Sequence, residues 1–248
     1  MRLELMTWPE VEAYLGTSTG ILVPIGSTEQ HGPNGLLGTD AICPETVATL
    51  VGEAIGAAVA PTLAVGMSQH HMAFPGSITL KPSTLLQVVR DVVESLARHG
   101  FDHIYFLNGH GGNIATLQSA FSEIWAAGIK PRGEGGAVQL LQRNWWSGRR
   151  VGVLQKELFG DADGTHATAS EVSLSWFARP HAVKQVEMSP KIAPRGPIRD
   201  AEDFRRRFPD GRMGSDPTLA SVEAGEKLCA AAVDDVREDY LRFLEDGE

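Results

Sequence analysis

Two carboxylates and an imidazole directly follow a short apolar run near the start of the chain. Glu29, His31 and Asp40 lie in the segment PIGSTEQHGPNGLLGTD, residues 24–40, which otherwise consists of Gly, Pro and small side chains. Neutral imidazole and carboxylate are the ligand types that zinc, manganese and iron accept in proteins. The segment is therefore a candidate metal site. The alternative for Glu29 and His31 is a polar loop with a helix cap, and spacing alone leaves it open.

Three further residues extend this candidate site. His110 follows another apolar run in the motif HGGN, and His166 and Glu171 lie five residues apart in DADGTHATASEVS, residues 161–173. Even without His166, the other five potential ligands exceed what one zinc ion normally takes from protein. A carboxylate can bridge two ions, and such a pair would hold a hydroxide between them at neutral pH. A histidine is suited to protonate a leaving nitrogen. These residue types point to a metal-dependent hydrolase of amides or similar bonds.

Apolar runs that alternate with helical patterns predict the elements that must position these residues. Strands are predicted at 21–26, 57–66 (one or two strands, broken at Pro61), 103–109 and 136–146, and helices at 43–56, 81–100, 113–128 and 220–246. Alternation of this kind implies parallel pairing with helices on both faces of the sheet. We therefore expect one domain over residues 1–248, an α/β fold with a three-layer α/β/α sandwich and a mostly parallel sheet. Ligands bind beyond the carboxyl ends of such strands, where the candidate residues lie.

Composition excludes several classes of function. The chain has 248 residues, 42% hydrophobic and 21% charged, with a formal net charge of -9. These values are ordinary for a globular protein, and the acidic balance argues against nucleic-acid or membrane partners. The basic run Arg205–Arg207 is flanked by Asp203 and Asp210, which favours a solvated surface patch. Residues 188–217, rich in Pro, Arg and Gly, are open to interpretation as a flap, an oligomer contact or a mobile loop.

Two cysteines and the N-terminal segment bear on the cellular compartment. Cys43 and Cys229 do not suggest a disulfide framework, and buried or half-buried thiols are expected. The N-terminus has no apolar core of signal-peptide length, and no segment approaches a membrane span. A cytoplasmic protein is expected.

The motifs together resemble the creatininase (creatinine amidohydrolase) family. The matching segments are PIGSTEQHGP…LGTD, GMSQHHMAFPGSITL, LNGHGGN, DGTHATASEVS and GSDPTLASVEAGEKL, in the order of the family. The resemblance implies an amidohydrolase with two divalent ions per chain (Zn, Mn or Fe) on a three-layer α/β/α fold, usually in a homo-hexamer. It implies a small-molecule amide, possibly cyclic and such as creatinine, as substrate. The resemblance implies these metal ligands: Glu29, His31, Asp40, His110 and Glu171. Asp40 would bridge the ions, and His166 matches the catalytic histidine that protonates the leaving nitrogen.

Some positions depart from the family pattern. True creatininases read GHYEN, with a metal-ligating Glu where this chain has Gly112, and many members read HAGE where this chain has Thr168 and Ala169. Asn34 replaces a family His. The second metal must then find another carboxylate, and Glu171 is the candidate. A formamide or peptide hydrolase of the same family is one alternative to a creatinine-like substrate. A non-catalytic metal-binding protein is an alternative from another class.

Glycines and histidines near the predicted ligands have two readings each. Gly111 and Gly112 could offer N–H groups to a developing oxyanion, or simply form a turn. Asn113 is expected to cap the following helix. His71 could hold a carboxylate or the substrate, or be a packed side chain, whereas a loop or packing role is favoured for His70.

Three larger side chains are candidates for contact with the substrate. Trp145 and Trp146 follow a predicted strand and could form an aromatic wall for a flat amide, or pack in the core. Asp163 could orient a water or His166, or only shape its turn.

Overall fold

The computed structural model describes residues 1–133 and 136–245, and a four-stranded parallel sheet forms its centre. The strands are β1 (Gly20–Ile25), β2 (Ala58–Val59), β3 (His103–Asn108) and β4 (Gln139–Asn144), in the spatial order β2-β1-β3-β4. The predicted strands are confirmed, with two shortened. Residues 57–66 form only the two-residue β2, after which Leu63 bridges to Ile25, and β4 is followed by a 3₁₀ turn at Trp145–Ser147.

Eight α-helices surround the sheet within the described residues. They are α1 (Trp8–Leu15), α2 (Thr39–Ile55), α3 (Pro82–His99), α4 (Ile114–Ala126), α5 (Arg149–Leu158), α6 (Ala169–Ala178), α7 (Ala201–Arg207) and α8 (Val222–Glu245). The four predicted helices correspond to α2, α3, α4 and α8, although the last predicted residue of α8, Asp246, lies outside the described residues. None of the helices in the described ranges combines the length and the apolar character needed to cross a bilayer.

β1, β2 and β3 are buried on both faces, whereas the edge strand β4 is partly exposed, and alternate residues of β1 point to two separate cores. Leu22 belongs to a core with residues of α2, α5, α6 and α8. Ile21 and Val23 belong to the opposite core, with residues of α1, α3 and α4. This alternation follows from the period of two in a strand. The three-layer α/β/α sandwich with a parallel sheet is confirmed.

The start of α2 differs from the prediction in a way that matters for the site. The helix begins at Thr39 rather than at residue 43, so Asp40 lies in its first turn and not in the preceding loop. Pro44 has no N–H to donate to the Asp40 carbonyl, as a helical residue at that position would. A Cβ at Gly26 or at Gly109 would lie 2.0 Å from that carbonyl oxygen. Glycine at both strand ends therefore lets α2 approach the sheet and carry Asp40 to its edge.

The segment 188–217 is an ordered part of the fold. It contains α7, whose Phe204 packs with Phe208, Phe74 and Met213 in a small third core. Arg212 is fully buried, and it donates hydrogen bonds to the backbone carbonyls of Pro190, Lys191 and Ser215. A guanidinium with several donors can tie together a segment that lacks regular backbone pairing. The segment covers one side of the site, which agrees with a flap, one of the three interpretations that the sequence leaves open.

The basic run in α7 is largely exposed, as the sequence predicts. Arg206 and Arg207 both pair with Asp203, whose side chain is buried, and the guanidinium of Arg205 lies 4.2 Å from the ring centroid of Phe74. The predicted solvated patch is therefore confirmed for Arg205 and Arg206, while these contacts hold the run against the third core. The two cysteines are buried free thiols, as predicted.

Candidate metal centre

Four of the predicted ligands meet at the carboxyl edge of the sheet. Asp40 lies between two imidazoles, with Oδ1 3.0 Å from His31 Nε2 and Oδ2 2.9 Å from His110 Nδ1. Glu29 Oε2 lies 3.3 Å from His110 Nε2. All four side chains are at most 5% exposed. The loop after β1, the first turn of α2 and the loop after β3 bring them together.

Each imidazole has one nitrogen fixed by the backbone and the other directed at Asp40. His31 Nδ1 donates to the carbonyl of Glu29 at 3.1 Å, and His110 Nε2 donates to the carbonyl of Met67 at 2.8 Å. Histidines that bind metals typically donate their outer N–H to such an oxygen, which orients the ring and leaves the other nitrogen as ligand. His31 Nε2 and His110 Nδ1 are thus oriented as ligand atoms on either side of one carboxylate.

Glu171 and His166 approach the centre from α6 and the segment before it. Glu171 Oε1 lies 4.0 Å from His31 Nε2, and the same oxygen accepts a 2.6 Å hydrogen bond from the N–H of Thr168. The second bond is half of a capping box that begins α6. His166 Nδ1 lies 3.8 Å from Glu29 Oε1. His166 therefore lies in the loop before α6, and Glu171 lies in the first turn of that helix.

Two buried carboxylate oxygens support a cation at this place. Glu29 Oε1 and Asp40 Oδ2 have no partner in hydrogen-bond geometry, although imidazole nitrogens lie nearby. A buried charged oxygen left without a partner is costly unless a cation satisfies it. Potential ligand atoms within 4.8 Å of one another form three groups: Glu29–His31–Asp40, His31–His166–Glu171 and Glu29–His71–His166. The donor set of imidazole and carboxylate fits zinc, manganese or iron.

The pKa values of the cluster reflect burial opposed by close opposite charges. Burial lowers the pKa of His31, but the carboxylates of Asp40, Glu171 and Glu29 more than offset it and raise the value to about 10. Burial also lowers the pKa of His110, but the carboxylates of Glu29 and Asp40 more than offset it and raise the value to about 9. Burial raises the pKa of Asp40, yet the two histidines hold it well below its usual range. Protons on the imidazoles thus neutralise the acids, and a divalent cation would displace them.

Glu171 and His166 are shifted the other way. Burial raises the pKa of Glu171 above its usual value, with the neighbouring Asp40 adding to the shift. Burial, reinforced by His71 and His31, lowers the pKa of His166 well below 6.5. A neutral imidazole beside the carboxylates is able to accept a proton and give it back.

A pocket of about 380 Å³ opens onto the cluster. Asp40, His110, His166 and Glu171 line its inner end. Its other walls include four of the predicted substrate-contacting residues: Gly111, Trp145, Trp146 and Asp163. The two indoles lie at a steep angle with ring centroids 5.9 Å apart, and Trp145 is also part of the main core. Core packing of Trp145 is confirmed, and its contact with a substrate stays a prediction.

Asp163 and Ser170 form a polar wall of the pocket. Asp163 accepts hydrogen bonds from the N–H and the hydroxyl of Ser170, at 2.8 and 2.9 Å. Gln155 Nε2 donates to the Ser170 hydroxyl at 3.1 Å. Asp163 thus shapes the start of α6 while it faces the pocket.

Two other residues that were predicted to contact the substrate lie against the candidate ligands and not on the pocket wall. His71 is buried, with Nε2 3.3 Å from Glu29 Oε1, in contact with the carboxylate and not with the pocket. Gly112 lies against His110: a Cβ there would be 2.3 Å from Nε2 of that ring. At the position where creatininases carry a Glu, the space beside Gly112 is therefore filled by neighbouring atoms and is not an open cavity.

The predicted helix cap at Asn113 is wrong. Its side chain makes no cap bond; instead it donates to the carbonyl of Gly26 at 3.0 Å and accepts from the N–H of Met67 at 3.0 Å. The Asn113 amide joins the end of β1 to the loop at Met67, and these two bonds leave it unable to cap α4.

Two functional neighbours were not found from sequence. The Ser68 hydroxyl donates a very short hydrogen bond to Glu29 Oε2. Gln30, between two predicted ligands, contacts both His71 and His166. The position of Gln30 between Glu29 and His31 was a usable signal, whereas nothing in the local sequence marks Ser68.

Comparison with known proteins identifies the family. The model of the creatininase family, described as creatinine amidohydrolase, matches residues 4–239. The chain belongs to the creatininase family. Creatininase-family proteins are metal-dependent hydrolases, and the chain is therefore an enzyme of this class. The match extends from before α1 into α8, so it includes every residue of the cluster.

The chain is similar to relatives that differ in substrate. It is 28% identical to a creatinine amidohydrolase of Pseudomonas putida over 95% of each chain. It is 32% identical to a mycofactocin precursor peptide peptidase of Mycobacterium ulcerans, with 89% of this chain and 88% of that protein covered. Membership of the creatininase family therefore does not select one substrate.

Solved creatininase structures share the fold and contain metal. A structure described as creatininase Mn has a TM-score of 0.79, with 26% identity and 97% of each chain covered. A creatininase variant described as Zn-Zn type gives 0.78 at the same identity and coverage. Manganese and zinc are both among the metals that the donor set of this chain fits.

Proposed function

We propose that this protein is a binuclear metal-dependent amidohydrolase that cleaves a C–N bond of a small amide. The observation that carries the proposal is the position of Asp40. Its two carboxylate oxygens lie 3.0 and 2.9 Å from nitrogens of different histidines, at the closed end of a pocket of about 380 Å³. A carboxylate with one imidazole on each oxygen is the arrangement expected of a residue that bridges two ions.

The remaining ligands divide between the two positions. Glu29 would hold the first ion with Asp40 and His110, although its carboxylate lies 3.3 Å from His110 Nε2 and not beside the ligand atom Nδ1. Glu171 lies on the side of His31, at 4.0 Å, and would hold the second ion. Glu171 can serve there because Gly112 supplies no side chain. Bound divalent ions would activate a water and polarise the carbonyl of the amide.

His166 is the residue proposed to move the proton. Its pKa is lowered by burial and by the neighbouring histidines, so the ring is neutral near pH 7 and a weaker base than a free imidazole. Nδ1 lies 3.8 Å from Glu29 Oε1, on the side of the ligand cluster. From there the ring would take a proton from the attacking water and deliver it to the leaving nitrogen.

The walls of the pocket would hold the rest of the substrate. Trp146 and the edge of Trp145 offer apolar surface for a flat group. Asp163 and Ser170 offer polar atoms, and Gly111 also lines the pocket. Creatinine has the size and flatness that such a pocket accepts, so it is the first substrate to be tested.

A peptide or formamide is the second candidate substrate. The similarity of 32% to a peptide peptidase favours it, since this identity exceeds the 28% to the creatinine amidohydrolase. The absence of a Glu at Gly112 favours it as well, because the chain departs there from creatininases in particular. The catalytic residues would have the same roles on this substrate.

The test compares metal-loaded, chelator-treated and His166→Asn protein on creatinine, N-formyl compounds and short peptides. The proposal predicts turnover of at least one substrate, which falls to background with chelator and by ~10²-fold or more in the variant. The surface variant His99→Asn is the matched control, since His99 is exposed on α3. Stoichiometric metal binding with no turnover on any amide would favour a non-catalytic metal-binding protein and overturn the proposal.

A further inference from the structure

Gln30 is buried between two predicted ligands and faces two histidines at once. Its side chain is 5% exposed, and Nε2 lies 3.0 Å from His71 Nδ1 and 2.8 Å from His166 Nε2. The proposed reaction assigns no role to this amide. A buried amide with every polar atom engaged constrains the groups it contacts.

The orientation of the amide follows from two backbone groups. Gln30 Oε1 accepts a hydrogen bond from the N–H of Gly32 at 2.9 Å, and Nε2 donates to the carbonyl of Gly211 at 2.9 Å. A rotated amide would place an NH₂ against an N–H and an oxygen against a carbonyl. The edge that faces the two histidines is therefore the N–H donor edge.

This donor edge selects the tautomer of His71. Because Gln30 donates to Nδ1, a neutral His71 ring must carry its proton on Nε2. That nitrogen lies 3.3 Å from Glu29 Oε1. A protonated Nε2 is favourable beside the carboxylate, and it cannot be a metal ligand. The amide thus keeps His71 out of the ligand set, although Glu29, His71 and His166 have the spacing of a metal site.

The same residue orients His166. The Nε2 atom of His166 lies 3.0 Å from the backbone carbonyl of Gln30, to which it can donate. Gln30 Nε2 lies 2.8 Å from His166 Nε2, but its two protons are assigned to the Gly211 carbonyl and to His71 Nδ1. None is then left for His166, so we assign His166 Nε2 as the donor to the Gln30 carbonyl. With Nε2 engaged in this way, Nδ1 is the nitrogen left to exchange a proton at the centre.

We propose that Gln30 is a positioning residue, whose amide fixes both histidines as Nε2–H tautomers so that His71 supports Glu29 and His166 presents Nδ1 to the substrate. This proposal depends on the proposed function for its effect on turnover. Its effect on the rings does not depend on turnover.

The test replaces the donor edge by an acceptor in a side chain of the same shape. In Gln30→Glu, a carboxylate oxygen faces His71 Nδ1, so that nitrogen must carry the proton. Ring-nitrogen NMR on zinc-loaded protein labelled with ¹⁵N-histidine reports the tautomer directly. We expect the His71 signals to change from the Nε2–H to the Nδ1–H pattern, with His71→Gln used to assign them. Gln87→Glu, on the exposed side of α3, is the matched control.

Turnover supplies the second readout. We expect Gln30→Glu and Gln30→Met to lower kcat by roughly ten- to a hundredfold, the usual cost of losing a neighbour that orients the metal centre, with KM changed less than threefold. An unchanged His71 tautomer in Gln30→Glu overturns the proposal whatever the activity. A tautomer change with no loss of kcat on an active native enzyme overturns the catalytic part. If the native enzyme has no turnover at all, the proposed function fails while the NMR result still decides the role of Gln30.

Discussion

At the scale of single residues, the centre is defined by which atom of each side chain is left free. His31 and His110 each spend one nitrogen on a backbone carbonyl, at 3.1 and 2.8 Å, and direct the other to Asp40. The backbone carbonyls alone therefore orient both rings towards Asp40. The cost of burying the carboxylates is offset by these histidines and, in the proposed holoenzyme, by the ions.

Asp40 is predicted to be indispensable for metal binding. In Asp40→Asn the side chain loses its charge and one of the two acceptor oxygens that face the histidines. We expect bound metal to fall below one ion per chain, as measured by elemental analysis after dialysis. Asp91→Asn, on the exposed face of α3, is the control and should bind as the native protein does. Full occupancy in Asp40→Asn would show that the ions lie elsewhere.

The two neighbouring glycines after His110 should behave differently. A Cβ at Gly112 would lie 2.3 Å from His110 Nε2 and 2.6 Å from the Met67 carbonyl oxygen, between the two partners of a hydrogen bond. We expect Gly112→Ala to weaken zinc binding by roughly tenfold or more, because that bond orients the ligand. Chelator competition measures the affinity.

Gly111→Ala is the matched partner of that variant. A Cβ at Gly111 meets nothing within 4 Å. Its zinc affinity should stay within threefold of the native value. Equal losses in both variants would mean that backbone freedom, and not the His110 contact, requires glycine at these positions.

At the scale of elements, the site depends on how closely α2 approaches the sheet. The first turn of α2 carries Asp40, and its carbonyl packs on the ends of β1 and β3 at Gly26 and Gly109. α6 supplies Glu171 from the opposite side, in the turn where a capping box fixes the carboxylate. The segment with α7 closes the side of His71 and His166 through Phe204.

A methyl group at Gly109 should force α2 away from the strands. Its Cβ would lie 2.0 Å from the Asp40 carbonyl and 2.7 Å from Pro44 Cδ. We expect Gly109→Ala to lower the free energy of unfolding by ~1–3 kcal/mol, the usual cost of overpacking, and to reduce metal affinity together with it. Urea denaturation measures the stability.

Gly152→Ala provides the contrast for that experiment. Gly152 lies within α5 and its Cβ would meet open space. The substitution should raise stability by up to ~1 kcal/mol, since alanine is the better helix former. A Gly109→Ala protein as stable as the native one would show that α2 can shift without cost.

At the scale of the whole molecule, one buried cluster joins parts of the chain that are far apart in sequence. The proposed ligands, from residues 29 to 171, must all be in place before they can hold a metal, so binding is expected to require the folded state. A ligand that binds only the folded state stabilises it by mass action. The homo-hexamer implied by the family resemblance and the cytoplasmic location stay predictions.

Removal of metal should therefore lower the melting temperature. At a free metal concentration of 100 times Kd the stabilisation is ~2.7 kcal/mol, and chelator should remove it. Thermal unfolding of loaded and chelated protein measures the difference, which zinc or manganese should restore. Asp40→Asn is the control that should melt at the same temperature with and without metal. A chelator-insensitive native protein would contradict a metal held in the folded core.

Much of the site could be predicted from the sequence, because the candidate ligands directly follow segments that are recognisable as strands. The apolar runs before Glu29 and His110 predict buried strands, and parallel strands bring their carboxyl ends to one edge. That reasoning placed Glu29, His31, Asp40 and His110 together, as the structure does. The motif resemblance added the family, and the family match over residues 4–239 confirmed it.

Only the tertiary structure decided which neighbours serve these residues. Ser68, Met67 and Gln30 act through contacts whose partners are 39, 43 and 136 positions apart in the chain, and no local pattern encodes such pairs. The cap prediction for Asn113 was wrong for the same reason, since its side-chain amide bonds to the carbonyl of Gly26 after β1 and does not cap α4. Local sequence determined the strands and the ligand types, because strand periodicity and ligand chemistry are local properties. Long-range packing decided the orientation of each ring and carboxylate, because orientation depends on whichever group the fold brings alongside.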